Sequence, residues 1–456
     1  MKYFSTRDKN LNLDFKEIFL RGLAPDGGLF LPKVVKRYST SELVNLKKLN
    51  YQDLAYEIIS NFCGDDLKPK LTNIIKKSYS NFFDKNVVTL KQLDHLNFLE
   101  LYHGPTLAFK DYAMQVIGNI YEEYLSNSDQ KITIVVATSG DTGAAAIYAL
   151  ANKKNINLFV LHPENKVSPV QRKFMTTVNA KNIFNLAIKG NFDDCQSMVK
   201  KMFMDEKFRK AVNLSAVNSI NWGRIICQIV YYFYAFLKMN EDKISFAVPT
   251  GNFGDIYAGY MAKKMGLPID KLIIATNEND ILHRVATTGK YEPKGVKPSI
   301  SPSMDIQVSS NFERLIFDLV GEDAEVVAKL MKDLSNNGSF TINKDQLDKL
   351  KKDFLSCRVE EKETLSIIEK VKEDYNFIID PHTATATKYS LDNINSKVIV
   401  LCTAHPFKFK DTIENKLGIK INTPPQAKNL MDKAENFDTL DLNLQQIIKY
   451  ILDKTQ

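Results

Sequence analysis

No stretch of this chain approaches the ~18 consecutive apolar residues that span a bilayer, and residues 1–14 lack the apolar core of a secretory signal. No membrane partner is expected, and a cytoplasmic location fits. Cysteine is scarce: Cys63, Cys195, Cys227, Cys357 and Cys402 are odd in number and widely scattered. Their spacing builds neither a disulfide framework nor a zinc site, so a reducing compartment and no metal are expected. Basic blocks are missing too. The net charge of +7 is spread through Lys-rich segments such as 45–50 and 345–353, each mixed with acidic or apolar residues, which argues against a nucleic-acid partner. There is no internal repeat, no low-complexity linker, and no proline anywhere in residues 318–374.

What is present is an ordinary globular composition, 44% hydrophobic and 25% charged over 456 residues, enough for two to four domains. From about residue 131 onward, short runs rich in Val and Ile alternate with helical patterns. The runs at 132–137, 158–161, 183–188, 244–248, 272–276 and 398–402 predict strands of parallel sheets buried on both faces. The first 90 residues differ: 51–62 and 67–83 have amphipathic helical spacing and no strand alternation stands out. The proline-free stretch 318–374 also reads as mostly helical, broken at Asn336-Asn337-Gly338.

Ligands of parallel sheets bind beyond the carboxyl ends of the strands, and four segments fall there. Residues 137–143 (ATSGDTG) run into an Ala-rich helix. Small hydroxyls and free amides at a helix start make an anion site, although Ser139 or Asp141 acting as a plain helix cap explains the same residues. Residues 249–255 (PTGNFGD) place two glycines where backbone can approach a phosphate closely, without the Gly-Lys-Ser/Thr of a P-loop. Residues 218–224 (NSINWGR) open an apolar helix with amides and one arginine. That arginine suits a phosphate or carboxylate, with the alternative that Ser219 or Asn221 caps the helix and Arg224 lies on the surface. Residues 103–111 (HGPTLAFKD) put Lys110 at the start of a helix, whose positive end lowers an amine's proton affinity and favours the nucleophilic form. Most lysines are simply solvated, and spacing alone does not decide.

Together, and in order along almost the whole chain, these segments resemble the threonine synthases, pyridoxal-phosphate enzymes of the tryptophan synthase beta-like superfamily. The resemblance implies that Lys110 carries pyridoxal 5'-phosphate and that Asp141 contacts the cofactor. Ser139 and Thr142 would meet the substrate. Gly251, Asn252, Phe253, Gly254 and Asp255 would form the cofactor-phosphate loop, and Asn218, Ser219 and Arg224 would grip the phosphate of O-phospho-L-homoserine. Thr403, in TAHP at 403–406, resembles the hydroxyl residue facing the pyridine nitrogen. His103 is a further candidate for positioning phosphate or a proton, the alternative being a hydrogen-bonded structural histidine. Flanking segments add weight without a derivable role: GLAPDGGLFLP, GNFDDC, NENDIL, SPSMD, NFERL and DPHTA. Phe407 and Gly223 stand where the family is expected to carry Ala, and Asn179 where Gly is expected, which puts local pocket shape in question.

The fold so implied is α/β, with two parallel-sheet domains of the fold type II pyridoxal-phosphate kind and an active site between them. A helical N-terminal domain is expected over 1–90 and a catalytic body over 91–456, comprising a smaller α/β domain at about 128–212 and a larger one with a helical insertion at about 318–374. The implied reaction is γ-elimination of phosphate followed by water addition at the β carbon, giving threonine, with Lys110 moving the α and β protons. A dehydratase or β-replacement enzyme of the same fold is the first rival, and a non-catalytic binder of phosphorylated ligands the second. A monomer or homodimer is expected.

Overall fold

All six apolar runs predicted as strands form strands in the computed structural model, which describes residues 1–126 and 130–455. They divide between two sheets. The larger has the order Phe354–Arg358, Ile269–Thr276, Ile244–Pro249, Val398–Cys402, Leu96–Glu100 and Thr89–Leu93, parallel throughout except for the last pair. The smaller is wholly parallel: Asp438–Leu440, Ile183–Ile188, Ile156–Pro163, Ile132–Ala137 and Leu214–Ser215. Val and Ile dominate the central strands because both faces are covered by helices and neither needs polar side chains.

The other five strands of the two sheets lacked a sequence signal, and three of them show why. Leu96–Glu100 is buried along its whole length despite Asn97 and Glu100, and it pairs with Thr89–Leu93 across a two-residue turn at Asp94, whose φ is +51°. Phe354–Arg358 corrects the helical reading of 318–374. The helix Lys344–Asp353 ends without a glycine, its next residue simply turns extended, and the following five residues become the edge of the larger sheet. Asp438–Leu440 is only three residues long, yet it completes the smaller sheet from far outside 128–212. Residue 128, where that smaller unit was expected to begin, lies outside the described residues.

The first 90 residues contain the expected helices, observed as Tyr51–Ser60 and Lys68–Tyr79, preceded by Phe15–Arg21 and Thr40–Leu46. Reciprocal capping by Asp14 with Glu17, and by Ser39 with Glu42, starts those two earlier helices. The helical expectation needs one amendment. Lys2–Ser5 lies between Asp8–Asp14 and Phe30–Pro32 in a small antiparallel sheet. Two of these strands are too short to show alternation, and the seven-residue Asp8–Asp14 carries only Leu11 and Leu13 among polar residues.

At the centre runs the helix Trp222–Lys238, buried at every position but its last. It packs against Tyr51–Ser60, Lys110–Leu125 and Gly254–Lys264, so it ties the N-terminal region to the catalytic body. Among the described residues, no helix is long and apolar enough to cross a membrane.

One buried group sits uneasily in this core. His162, in the strand Ile156–Pro163, has no hydrogen-bond partner for either ring nitrogen among the described residues and meets the Phe437 ring edge-on. Burial pushes its pKa down to about 4. A histidine that must stay neutral when folded, but is free to protonate near pH 6.5 when unfolded, costs stability as pH falls through that interval. Asp111 and Asp255, whose pKa values burial raises to about 6, act in the opposite sense over part of the same range. A comparison of variant with wild type therefore isolates the histidine. His162→Leu is expected to gain about 2 kcal/mol over wild type on going from pH 7 to pH 5. Urea unfolding at the two pH values measures this, and an unchanged difference would rule it out.

Candidate active site

The carboxyl ends of Ile132–Ala137, Ile244–Pro249 and Val398–Cys402 open onto one cavity of about 680 Å³ between the two sheets. Residues just beyond each strand line it, as the topology of parallel sheets requires.

Lys110 is the first residue of the helix Lys110–Leu125 and is only 8% exposed, unlike an ordinary solvated lysine. Its loop is fixed from two sides. The Asp111 carboxylate accepts from the Thr106 amide at 2.8 Å and from the Thr106 hydroxyl at 2.7 Å, while the Phe109 amide donates to the Thr403 carbonyl at 2.9 Å. Burial lowers the pKa of the Lys110 amine, and the nearby charges of Lys408 and Arg224 lower it further, against the opposing pull of Asp141.

Asp141 is the hub of the cavity floor. Its Oδ2 lies 3.2 Å from Lys110 Nζ and accepts from Ser303 Oγ at 3.2 Å. Its Oδ1 pairs with Lys408 Nζ at 2.7 Å and accepts from Gln171 Nε2 at 3.1 Å. Burial alone would raise this carboxyl, but Lys408 and Lys110 outweigh it and hold the group well below the usual carboxylate range. Ser139 and Thr142 flank it on the cavity wall. Neither Ser139 nor Asp141 caps the helix Asp141–Leu150, whose cap position is Gly140. The turn is held instead by Thr138 Oγ1, which accepts from the amides of Gly140 and Gly143.

The loop 250–253 leads into the helix Gly254–Lys264, which has no side-chain cap. Phe253 takes a left-handed conformation, φ +63°, to make that entry, with its ring packed on Phe312 and Phe354. Gly251 is required because a Cβ there would lie 2.8 Å from the Ser303 carbonyl. The first-turn amides thus face the cavity unclaimed by any side chain, the arrangement that binds a phosphate. Asp255 in that turn accepts from Tyr231 and Tyr232 through one oxygen, while the other has no partner among the described residues.

In 218–224 Asn221 is the cap of the helix Trp222–Lys238, accepting from the Gly223 amide at 2.9 Å and donating to the carbonyls of Phe19 and Ala216. Arg224 is not on the surface: it is 3% exposed, lines the cavity beside Asn218 and Ser219, and its Nε has no partner among the described residues. Burial lowers its pKa to about 10. An uncompensated guanidinium in such a place is a binding position for an anion.

Asn252 and Thr403 also line the cavity, but His103 does not. The imidazole of His103 instead lies 3.0 Å from Glu100 and against the Tyr102 ring, as a structural histidine would. Phe407 is buried and is not among the residues that line the cavity. Gly223 has a plain reason, since a Cβ there would meet the Phe19 ring at 2.8 Å. Asn179 is exposed, and nothing in the structure explains it.

Motifs without a derivable role now acquire one. Asn277 and Asn279 both donate to Asp305, fixing the loop 299–305. His382, itself held by the fully buried Asp380 at 2.8 Å, accepts from the Ser303 amide at 3.2 Å. The result is a rigid presentation of the Ser303 hydroxyl to Asp141. Arg314 donates to the carbonyls of Phe30 and Ile220 and to Asn311, which in turn donates to the carbonyl of Asn252, so one buried arginine links both anion-facing loops. Lys408 and Ser303 were not singled out from the sequence. The signal available for Lys408 was its place five residues after Thr403 on the same segment.

A poised buried lysine and a helix start with no side-chain cap suit an aldehyde cofactor that carries a phosphate. Residues 87–402 match the family of pyridoxal-phosphate dependent enzymes, and this chain is an enzyme of that class with pyridoxal phosphate as its cofactor. Residues 2–79 match the threonine synthase N terminus and 383–451 the threonine synthase C-terminal family. The threonine synthase of Pseudomonas aeruginosa is 41% identical, covering 99% of this chain and 98% of its own. The crystal structure of pyridoxal-phosphate-bound threonine synthase from Brucella melitensis superposes with a TM-score of 0.96 at 43% identity over the whole of both chains. That of the yeast enzyme gives 0.93 at 40% identity, covering 100% of this chain and 98% of that one. This chain belongs to the threonine synthase family.

Proposed function

We propose that this chain converts O-phospho-L-homoserine and water to L-threonine and inorganic phosphate, with the site residues acting as follows. The observation that carries the reading is that one cavity holds a buried lysine and two anion positions of different make. The uncapped start of Gly254–Lys264, reached through Gly251, Asn252 and Phe253, offers main-chain amides and suits a phosphate that stays. The Arg224 guanidinium, with Asn218 and Ser219, offers charge that suits a phosphate which arrives on substrate and leaves as product.

Pyridoxal phosphate, when bound, supplies an electron sink for the substrate's α carbon. Lys110 would hold the cofactor and carry protons at the α and β carbons, a task that burial favours by lowering the amine's proton affinity. Asp141, 3.2 Å from Lys110 Nζ, would orient Lys110 and the cofactor, Thr403 would contact the cofactor ring, and Ser139 and Thr142 would receive the substrate carboxylate. Arg224 stabilises the charge that grows on the departing phosphate. A cytoplasmic location accords with five free thiols, and a monomer or homodimer remains part of the reading.

The test is turnover of O-phospho-L-homoserine by the purified chain with its cofactor. Threonine and phosphate in equal amounts are expected. Phosphate accompanied by 2-oxobutyrate would replace the reading with an elimination enzyme, and no turnover at all would favour the non-catalytic binder.

A further inference from the structure

The cavity floor contains two lysines and one shared carboxylate, and only one of the lysines faces the reaction space. Lys408 lies in the turn Pro406–Phe409 and is fully buried. Its ammonium is saturated: Nζ reaches Asp141 Oδ1 at 2.7 Å, donates to the Thr106 carbonyl at 2.8 Å, and sits 5.4 Å from the centre of the Phe174 ring. Lys110 has a longer contact to the other oxygen of the same carboxylate, 3.2 Å, and lines the cavity.

We propose that Lys408 is a positioning residue whose fixed charge neutralises Asp141, so that of the two lysines sharing that carboxylate Lys110 is the one that gives up its proton. The physical argument is a count of charges. A carboxylate facing Lys110 alone would hold the amine protonated, and so unfit as a nucleophile or base. A second, better-bonded ammonium on the same carboxylate offsets part of that pull by like-charge repulsion, adding to the lowering that burial already causes. The direction in which the Lys110 amine is shifted, and the contribution of Lys408 to it, agree with this. The other titratable groups around the pair are Arg224 and Asp255 on the Lys110 side, Asp111 beside Lys408, and His382 near Asp141. Lys408 also bonds the loop bearing Lys110 through Thr106, so a single side chain sets both the position of the loop and the charge it meets.

The inference rests on the reading of Lys110 as the lysine that carries the cofactor. The experiment uses the full chain with pyridoxal phosphate bound and follows the visible absorption band between about pH 6 and 10. In Lys408→Met the midpoint of the spectral change is expected to move up by about one to two pH units. Lys408→Arg, which keeps the charge, should return it to within about half a unit of wild type. Asp141→Asn removes the shared carboxylate and should move the midpoint down, which decides the matter if Lys408→Met does not fold by circular dichroism. A Lys408→Met midpoint within about 0.3 unit of wild type, or an Asp141→Asn midpoint unchanged or raised, overturns the proposal. Lys110→Ala is run alongside. If it keeps the band, the site reading fails; if it loses the band while Lys408→Met does not shift it, only the inference about Lys408 fails.

Discussion

Lys110→Ala is expected to lower threonine formation by roughly 10⁴-fold or more, with phosphate release falling in step. Two losses combine. The covalent hold on the cofactor disappears, so the visible band should vanish or move to that of the free aldehyde. The base that serves the α and β carbons disappears as well, and neither the neighbouring Asp141 nor Ser303 bonded to it is a good replacement. Asp141 is held anionic by Lys408, and the Ser303 hydroxyl is committed as a donor to Asp141. Cofactor should still be retained in part, because the helix start at Gly254 does not depend on Lys110. Phosphate release from phosphohomoserine at more than about one hundredth of the wild-type rate would show that another residue is the base.

Arg224→Ala is expected to reduce kcat/KM for phosphohomoserine by about 10²–10³-fold, or roughly 3–4 kcal/mol of transition-state stabilisation, while leaving the visible band intact. The size of the effect follows from burial. At 3% exposure and with its Nε unpartnered, Arg224 meets a phosphate in a site where water does not screen the interaction. Both kcat and KM should suffer, since the group is bound on substrate and carries more charge as it leaves. Arg224→Lys should recover less than about tenfold, because an ammonium cannot present the planar two-donor face of guanidinium. Turnover of Arg224→Ala within about threefold of wild type would remove Arg224 from the phosphate site, and a lost band would instead show that it holds the cofactor.

Much of this site was legible because its parts are local. Lys110, the turn at 138–143 and the loop at 250–254 are each a strand end or helix start, and both residue type and neighbours travel together in sequence. Resemblance to the family gave them roles that spacing alone left open. What escaped was assembled by tertiary packing. Lys408 reaches Asp141 across more than half the chain, and His382 reaches Ser303 from another segment. No local pattern distinguishes a lysine saturated by a carboxylate and a carbonyl from the many that are solvated. The same holds for strands: Ile132–Ala137 announced itself, whereas Leu96–Glu100 and Asp438–Leu440 are strands only because a neighbour offers an edge. His103 shows the reverse hazard, a residue adjacent to the key motif whose side chain turns towards Glu100.

The strand Asp438–Leu440 also sets a timetable. It covers the outer edge of Ile183–Ile188, a strand that leaves the ribosome long before its partner has been made. At 5–20 residues per second, the open edge waits on the order of ten seconds or more. During that time an apolar strand with unpaired amides is a template for association with other nascent chains. The short strand and the helix Leu444–Thr455, whose Ile447 and Ile451 seal the same small core, thus arrive long after the strand they cover. Chains stalled before that point would carry every residue of the cavity and yet remain prone to aggregate.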